Sequence, residues 1–489
     1  MNRERWLTFA AHALVWSIAL IYLSGHIATY DLWAYLSQGK LIWETGGVPR
    51  TDVDSYLPTG PWVCHNWLVS ALTYPLFMAG GGTAARGLTL ALMIGTLALA
   101  YRVARREGAS ALVTLLMVVL AIPSFSAGGM PFRPAMFSFL FVALLLAWLQ
   151  CGRAWWWIPA FFLLWTNMHA GVLVGLVLLG LWTAGSWRDP ATAKRLALIT
   201  VTSAVATLIN PYHVRYWKMV WDILGDPNKD ITEWQPIAWF TNNHPEFQIL
   251  VFLTLAVLLL ARERDLRRWL VLALLACMGA RQNRQIPLFA IGVAALLPPA
   301  VERLADRLRE RWPSAETSLL QRALPAGALV LAALVFGLWI RSEPWRLRVP
   351  GRPNAGGIHY PVGGIGFMKL NGLRGNLAVY FPWGEFAAWK LHGQCRVSAD
   401  GRHVTVFTRD AVHCSFDFSL GRAGWQRLLM AYPSDYALVP RDWPRLKELE
   451  GVLGWNRLYA DDGCVLFAKD EKLRSLLTIP AGTDEGTFP

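Results

Sequence analysis

Asp31 lies in the run "IATYDLWAYLSQGK", where the first apolar stretch of the chain gives way to polar residues. A carboxylate at a membrane boundary is costly unless it is solvated, paired or used. It can deprotonate or orient an acceptor hydroxyl, or hold a divalent metal such as Mg or Mn. It can also be a plain solvated helix-end charge. Glu44, Asp52 and Asp54 follow in the same loop and compete with it. Asp52 and Asp54 are spaced for one face of an extended strand, although "RTDVDSY" reads equally well as a turn. A second acid, Glu233 in "ITEWQP", is either a substrate contact or a solvated loop residue. Arg133, Arg281 and Arg284 offer planar guanidinium forks that match phosphate oxygens. Snorkelling, or pairing with a neighbouring carboxylate, is the alternative use of each. His65, His169 and His213 lie near Trp or Asn, where a hydrogen-bonding structural role competes with substrate contact. Trp62, in "PWVCHNW", is a candidate face for a sugar; interfacial belts are the commoner use of the chain's 26 Trp.

These residues need a scaffold, and composition says which kind. The 489 residues are 54% hydrophobic and 16% charged, against roughly 25% charged in soluble proteins. The mean hydropathy is +0.34. Apolar runs near 7–29, 84–101, 109–125, 134–150, 154–167, 171–186, 196–209, 247–261, 269–280, 286–300 and 323–340 predict about eleven transmembrane helices. Leu7–Ala28 is too long for a typical signal-peptide core and reads as an uncleaved anchor. Trp67–Ala79 contains Pro75 and is expected to lie at the interface. The net charge of +13 resides in short clusters between apolar runs. That distribution argues against nucleic acid as a partner and for positive-inside topology.

With the N-terminus in the cytoplasm, the inner loops carry Arg102, Arg105, Arg106, Arg153, Arg188, Lys194, Arg195, Arg262, Arg264, Arg267, Arg268, Arg303, Arg307, Arg309, Arg311 and Arg322. The outer loops hold fewer cations, Lys229 among them, although together they are longer. In this orientation the polar clusters "YDLWAYLSQGK", "DVDSY", "WVCHNW", "FRPA", "TNMHAG", "INPYH", "ITEWQP" and "ARQNRQ" all fall on the outer side. After Arg341 the chain loses its long apolar runs. The Gly- and Pro-rich linker "RVPGRPNAGGIHYP" leads into strand-like runs at Leu377–Phe381, Arg396–Ser398, Tyr436–Val439 and Val465–Ala468. Helical runs near Val362–Asn371 and Trp425–Tyr432 alternate with them, so 342–489 is expected to be a small α/β domain outside the cytoplasm. There, one disulfide can form among Cys395, Cys414 and Cys464. None of the six Cys shows metal-ligand spacing.

The segment "DLWAYLSQGKLIWETGGVPRTDVDSY…PWVCHNWL" resembles the first outer loop of bacterial multi-span proteins of the C-type glycosyltransferase (GT-C) superfamily. The resemblance continues through "FRPAMFSFLF", "LLWTNMHAGVLVG", "INPYH", "ITEWQP" and "RQNRQIPLFAI", covering most of residues 1–300. "FPWGEFAAWKL" and "SADGRH" look like the small outer domain attached to such proteins. The resemblance implies a helical bundle in the bacterial cytoplasmic membrane, with interfacial helices at "WAYLSQGKLIWETG" and "HNWLVSALTYPLF". It also implies transfer of a sugar from a polyprenyl-phosphate carrier to a glycan, lipid or protein acceptor at the outer face. In this pattern Asp31 is the base or metal partner, and Arg281 and Arg284 bind the lipid phosphate. Many members have paired acids near the first span, whereas only Asp31 is found there in this chain. A non-catalytic envelope-assembly partner and a lipid-linked glycan transporter are the competing functions. Nearly charge-free spans and the lack of a repeat weigh against the transporter.

Overall fold

The structure is a computed structural model. It describes residues 3–126, 132–152, 155–225, 231–311, 320–353, 357–451, 455–469 and 484–489. Arg153, Lys229 and linker residues 354–356 lie outside them, as do the side chains of Arg3 and Arg322. Two compact units form. The first comprises Met1–Gly25, Arg86–Asn210 and Pro227–Trp345; the second comprises His26–Ala85, Pro211–Asp226 and Arg346–Pro489.

The first unit is helical. Nearly every predicted apolar run becomes a helix, including Arg3–Tyr22, Ala111–Phe125, Ala135–Cys151, Ile158–Met168, Val172–Gly185, Pro190–Ala206, Pro245–Leu260, Leu266–Arg281, Ile286–Leu296 and Leu320–Arg341. Ile286–Leu296 is buried along its whole length, so its all-apolar sequence meets protein on every side. Arg3–Tyr22 packs along Leu320–Arg341, and Trp339 Nε1 donates to Ser24 Oγ at 2.6 Å beside that seam. Near the basic loops, Arg268 bridges Glu263 at 2.8 Å and Glu107 at 2.7 Å, and Arg303 joins Glu263 as well.

Among the described residues, Glu4–Tyr22 and Trp67–Arg106 are long and apolar enough to cross a membrane. The bent pair Asn283–Leu296 and Pro298–Arg311 adds a third span if counted as one. Ala111–Phe125, Ala135–Cys151, Val172–Gly185, Pro245–Leu260 and Pro325–Arg341 are shorter apolar helices.

The second unit joins the first loop to the C-terminal chain. Its five-stranded sheet comprises β1 (Gly375–Val379), β2 (Cys395–Val397), β3 (Tyr436–Pro440), β4 (Asn456–Ala460) and β5 (Cys464–Ala468). The order is β2-β1-β3-β5-β4. β1 runs parallel to β2 and β3, and β5 is antiparallel to β3 and β4. β3 and β5 are buried throughout, as expected of apolar central strands covered on both faces. The strand β4 and the helix Arg409–Leu420 were not foreseen.

First-loop backbone covers the β2 edge. Val397 N–H donates to Asp54 O at 2.8 Å, and Tyr56 N–H donates to Val397 O at 3.0 Å. Further along, Gly60 N–H reaches Val406 O at 2.7 Å and Val63 N–H reaches Thr405 O at 3.2 Å. An edge strand is thereby satisfied by a loop more than 300 residues away in the chain.

The two expected loop helices are present. Leu32–Thr45 is one. The other opens the element Trp67–Arg106, which breaks at Gly81 with φ 53° and ψ −146°, a backbone state open to glycine. The two helices approach closely at Gly39, where an added Cβ would come within 2.5 Å of Ser70 O. The three tail cysteines are separately buried free thiols, so the expected disulfide does not form.

Candidate active site

Asp31 does not follow directly on the first span. The first helix ends at Tyr22. Residues 23–30 lie outside any helix and are tied to the tail where Arg348 N–H donates to His26 O at 2.7 Å and Ala28 N–H to Arg348 O at 2.9 Å. Asp31 then occupies the N-cap position of Leu32–Thr45 and makes no side-chain cap bond. A carboxylate there faces the positive end of the helix dipole.

The structure brings Asp31 next to acids from the tail. Glu385 lies in Gly384–Lys390, the helix that follows β1. Asp400 and Arg402 lie in the loop that follows β2. Because β1 and β2 are parallel neighbours, both segments leave the sheet at its carboxyl edge, where α/β folds commonly place functional groups. Gly401 marks the meeting point: an added Cβ would come 2.8 Å from Glu385 Oε1 and 3.6 Å from Asp31 Oδ1.

Arg402 organises the neighbouring charges. Its Nε donates to both Asp400 oxygens, at 2.9 and 3.1 Å, and its Nη2 donates to Oδ2 at 2.7 Å. Nη1 reaches Asp52 Oδ1 at 2.7 Å. The guanidinium lies 5.0 Å from the Trp62 ring and 5.8 Å from Phe407. Arg402, Asp400 and Asp52 are all buried side chains. This is a charge-assisted, bidentate pair away from water.

Glu385 has no comparable partner. Its side chain is buried, and its Oε2 makes no hydrogen bond among the described residues. Burial, then the like charges of Asp31 and Asp400, push its carboxyl well above the ordinary value of 4.5, against Arg402 and an Ala34 N–H bond.

The competing acids of the first loop are engaged elsewhere. Glu44 is exposed, 3.8 Å from Lys40. Asp54 pairs with His392 Nδ1 at 3.0 Å, and burial raises its carboxyl. Trp62 is almost wholly buried. One ring face meets Arg402, and the residue also lines a cavity of about 420 Å³ with Arg50, Tyr212, His213 and Arg215. A fully open stacking platform is therefore not what the structure shows. His213 precedes the helix Val214–Leu224 with φ 48°, and His65 is half-buried.

The first unit gathers a second group. Arg133 Nη1 donates to Glu233 Oε2 at 2.6 Å, so these two expected substrate contacts satisfy each other. The Arg284 guanidinium lies 4.4 Å from the Trp234 ring centroid. Ile237 N–H to Ala280 O (2.9 Å) and Asn283 N–H to Gln235 O (3.2 Å) stitch "ITEWQP" to "RQNRQ". Arg281 ends Leu266–Arg281 and is exposed. His169 Nδ1 accepts the Gly171 N–H at 3.0 Å, so the Ser138 hydroxyl is the donor in its 2.8 Å bond to the same nitrogen. Trp165 Nε1 donates to the same Ser138 oxygen at 2.8 Å. These bonds give His169 a structural task at the end of Ile158–Met168.

The divalent metal implied by the sequence resemblance does not fit the donors present. Among the described residues no group of three or more His, Cys, Asp or Glu is placed to hold an ion. Asp52 and Asp400 are already held by Arg402.

No protein-family profile and no curated protein sequence matches this chain. Solved structures do. The Archaeoglobus fulgidus oligosaccharyltransferase in its apo form superposes with a TM-score of 0.55 at 12% identity, covering 96% of this chain and 74% of that one. ArnT from Cupriavidus metallidurans in the apo state gives 0.52 at 15% identity, covering 96% and 98%. The same protein bound to undecaprenyl phosphate gives 0.50 at 15%, covering 97% and 100%. The chain shares the fold of these structures, the GT-C-like fold expected from its sequence.

Proposed function

We propose that this chain is a membrane glycosyltransferase that moves a sugar from a polyprenyl-phosphate carrier to an acceptor at the outer face of a bacterial cytoplasmic membrane. The observation that carries this reading is Asp31, at the head of its helix, beside the buried Glu385. The fold adds support, since one matching structure is ArnT bound to undecaprenyl phosphate. In this reading Asp31 takes the proton of the acceptor hydroxyl as its oxygen attacks the anomeric carbon. The bond from that carbon to the carrier phosphate breaks, and the polyprenyl phosphate leaves.

Stabilising the departing phosphate is the main electrostatic task. We assign it to Arg281 and Arg284, with Arg133 weakened as a candidate by its bond to Glu233. The eleven-span topology, a cytoplasmic N-terminus and an outer 342–489 domain belong to the same proposal. The test is transfer of radiolabelled sugar by purified protein in nanodiscs, across a panel of polyprenyl-phosphate sugars. Label transfer or donor hydrolysis that disappears in a folded Asp31→Asn protein supports the reading. Full activity in that variant removes Asp31 from the mechanism.

A further inference from the structure

We propose that the acids around Asp31 are neutralised from within the chain, by the Arg402 guanidinium and by Glu385 held as a neutral carboxylic acid, so that Glu385 positions Asp31 without a divalent cation. The inference rests on the proposed reading of Asp31 as the base.

Charge and geometry carry it. Arg402 contributes one positive charge, and Asp52 and Asp400 both bind it directly. That trio already carries a net negative charge before Asp31 and Glu385 are added. An ionised Glu385 would stand buried among like charges, with Oε2 lacking a donor. Unpaired buried carboxylates shift towards the neutral form instead of paying that cost. The other groups near it do not supply a counter-charge. Tyr360, buried and close enough to feel both Asp31 and Glu385, has its phenol pushed well up and stays neutral. Its hydroxyl donates to Ala28 O at 2.9 Å. Lys390, on the Glu385 helix, lies over the Trp33 ring at 5.2 Å and donates to Thr487 O and Pro489 O. Burial lowers that ammonium to about 8, so it stays largely cationic at neutral pH, but its N–H bonds go to those carbonyls and not to Glu385. A proton is the species that fits: it removes the charge and gives Glu385 a donor.

A divalent ion would require the opposite arrangement. It needs several converging ionised oxygens with lone pairs free, whereas Arg402 takes both Asp400 oxygens and Asp52 Oδ1, leaving Asp52 Oδ2 in no group of three or more ligands among the described residues. The Glu385 proton and Arg402 together perform the neutralisation that a cation provides elsewhere.

The experiment compares wild type, Glu385→Gln and Glu385→Ala as full-length proteins in nanodiscs. Three readouts are followed: the thermal midpoint from pH 6 to 8, Mn²⁺ binding by electron paramagnetic resonance, and sugar transfer with and without EDTA. The first two need no turnover, so they decide this inference even if no donor is ever found. Gln keeps the shape and a donor without the charge. Expected are a Glu385→Gln midpoint that climbs relative to wild type as pH rises, no site-bound Mn²⁺, and EDTA-insensitive transfer. Glu385→Ala should lower kcat about tenfold at similar donor KM, with Gln restoring it. Stoichiometric Mn²⁺ binding that Glu385→Gln abolishes, or parallel midpoints across the pH range, would overturn the proposal.

Discussion

The sharpest consequence of a neutral Glu385 is the pH dependence of stability, and Glu385→Gln isolates it. In the unfolded chain the carboxyl titrates near its ordinary value of 4.5, and in the folded protein well above it. A raised folded value means that its stability contribution is fully present below the unfolded value. It is lost as pH rises from there through the folded value. Over that window the folded state holds one more proton than the unfolded state. Each pH unit inside that window then costs about 1.4 kcal/mol, which wild type loses and the amide does not. For a unit of roughly 200 residues, 1 kcal/mol moves the midpoint by about 2–4 °C. The difference between the variants should therefore open by roughly 3–6 °C for each pH unit inside that window. Intrinsic tryptophan fluorescence during heating reads it, and only the change in the difference with pH matters. A constant offset between the two proteins refutes the reasoning, because it means that folding takes up no proton at Glu385. Asp31→Asn provides a second control. Removing the like charge that raises it most lowers the folded value of Glu385, so that variant should show a shallower pH slope than wild type.

Five other outcomes follow from the geometry. Asp31→Asn should lower transfer by about 10²–10⁴-fold while the protein stays folded, measured as initial rates alongside the thermal midpoint. Arg402→Met leaves Asp400 and Asp52 buried without their cation, and should cost about 3–5 kcal/mol, seen as a lower midpoint and a reduced yield of monodisperse protein. Gly401→Ala places a methyl 2.8 Å from Glu385 Oε1 and should destabilise by about 1–3 kcal/mol while altering the pH profile of transfer. Arg284→Ala should raise the donor KM more than Arg133→Ala does. Combining Arg133→Ala with Glu233→Ala should give a non-additive result, since each is the other's partner at 2.6 Å; a cycle that closes additively would show that the contact carries no energy.

The helical part of this fold is legible because its signal is local. Lipid or protein on every side demands long apolar runs, and nearly every run read from the sequence is a helix. Helix ends are less legible: the apolar run continues to Ala28, but the helix stops at Tyr22, because hydropathy does not register where the chain leaves a helix to pair with Arg348. Asp31 stood out as an acid bordering an apolar stretch. Glu385 and Arg402 did not, although "FPWGEFAAWKL" and "SADGRH" had drawn attention as tail motifs. Each is an ordinary charge in a charged tail. Their importance comes from two parallel strands that end side by side and from a first-loop segment that pairs with one of them. Neither is a property of any local window of sequence. In chain order only Asp31 borders the first span, but chain order is not spatial order. The structure places a second acid next to Asp31 from the far end of the chain. Burial then sets the two acids apart: Glu385 is sealed in and driven towards the neutral form, while Asp31 stays half-exposed at a helix start that favours its charge. Two carboxyls with opposed environments are the arrangement that divides acid and base roles between like side chains, and here the environments come from chain segments that meet only when the protein folds.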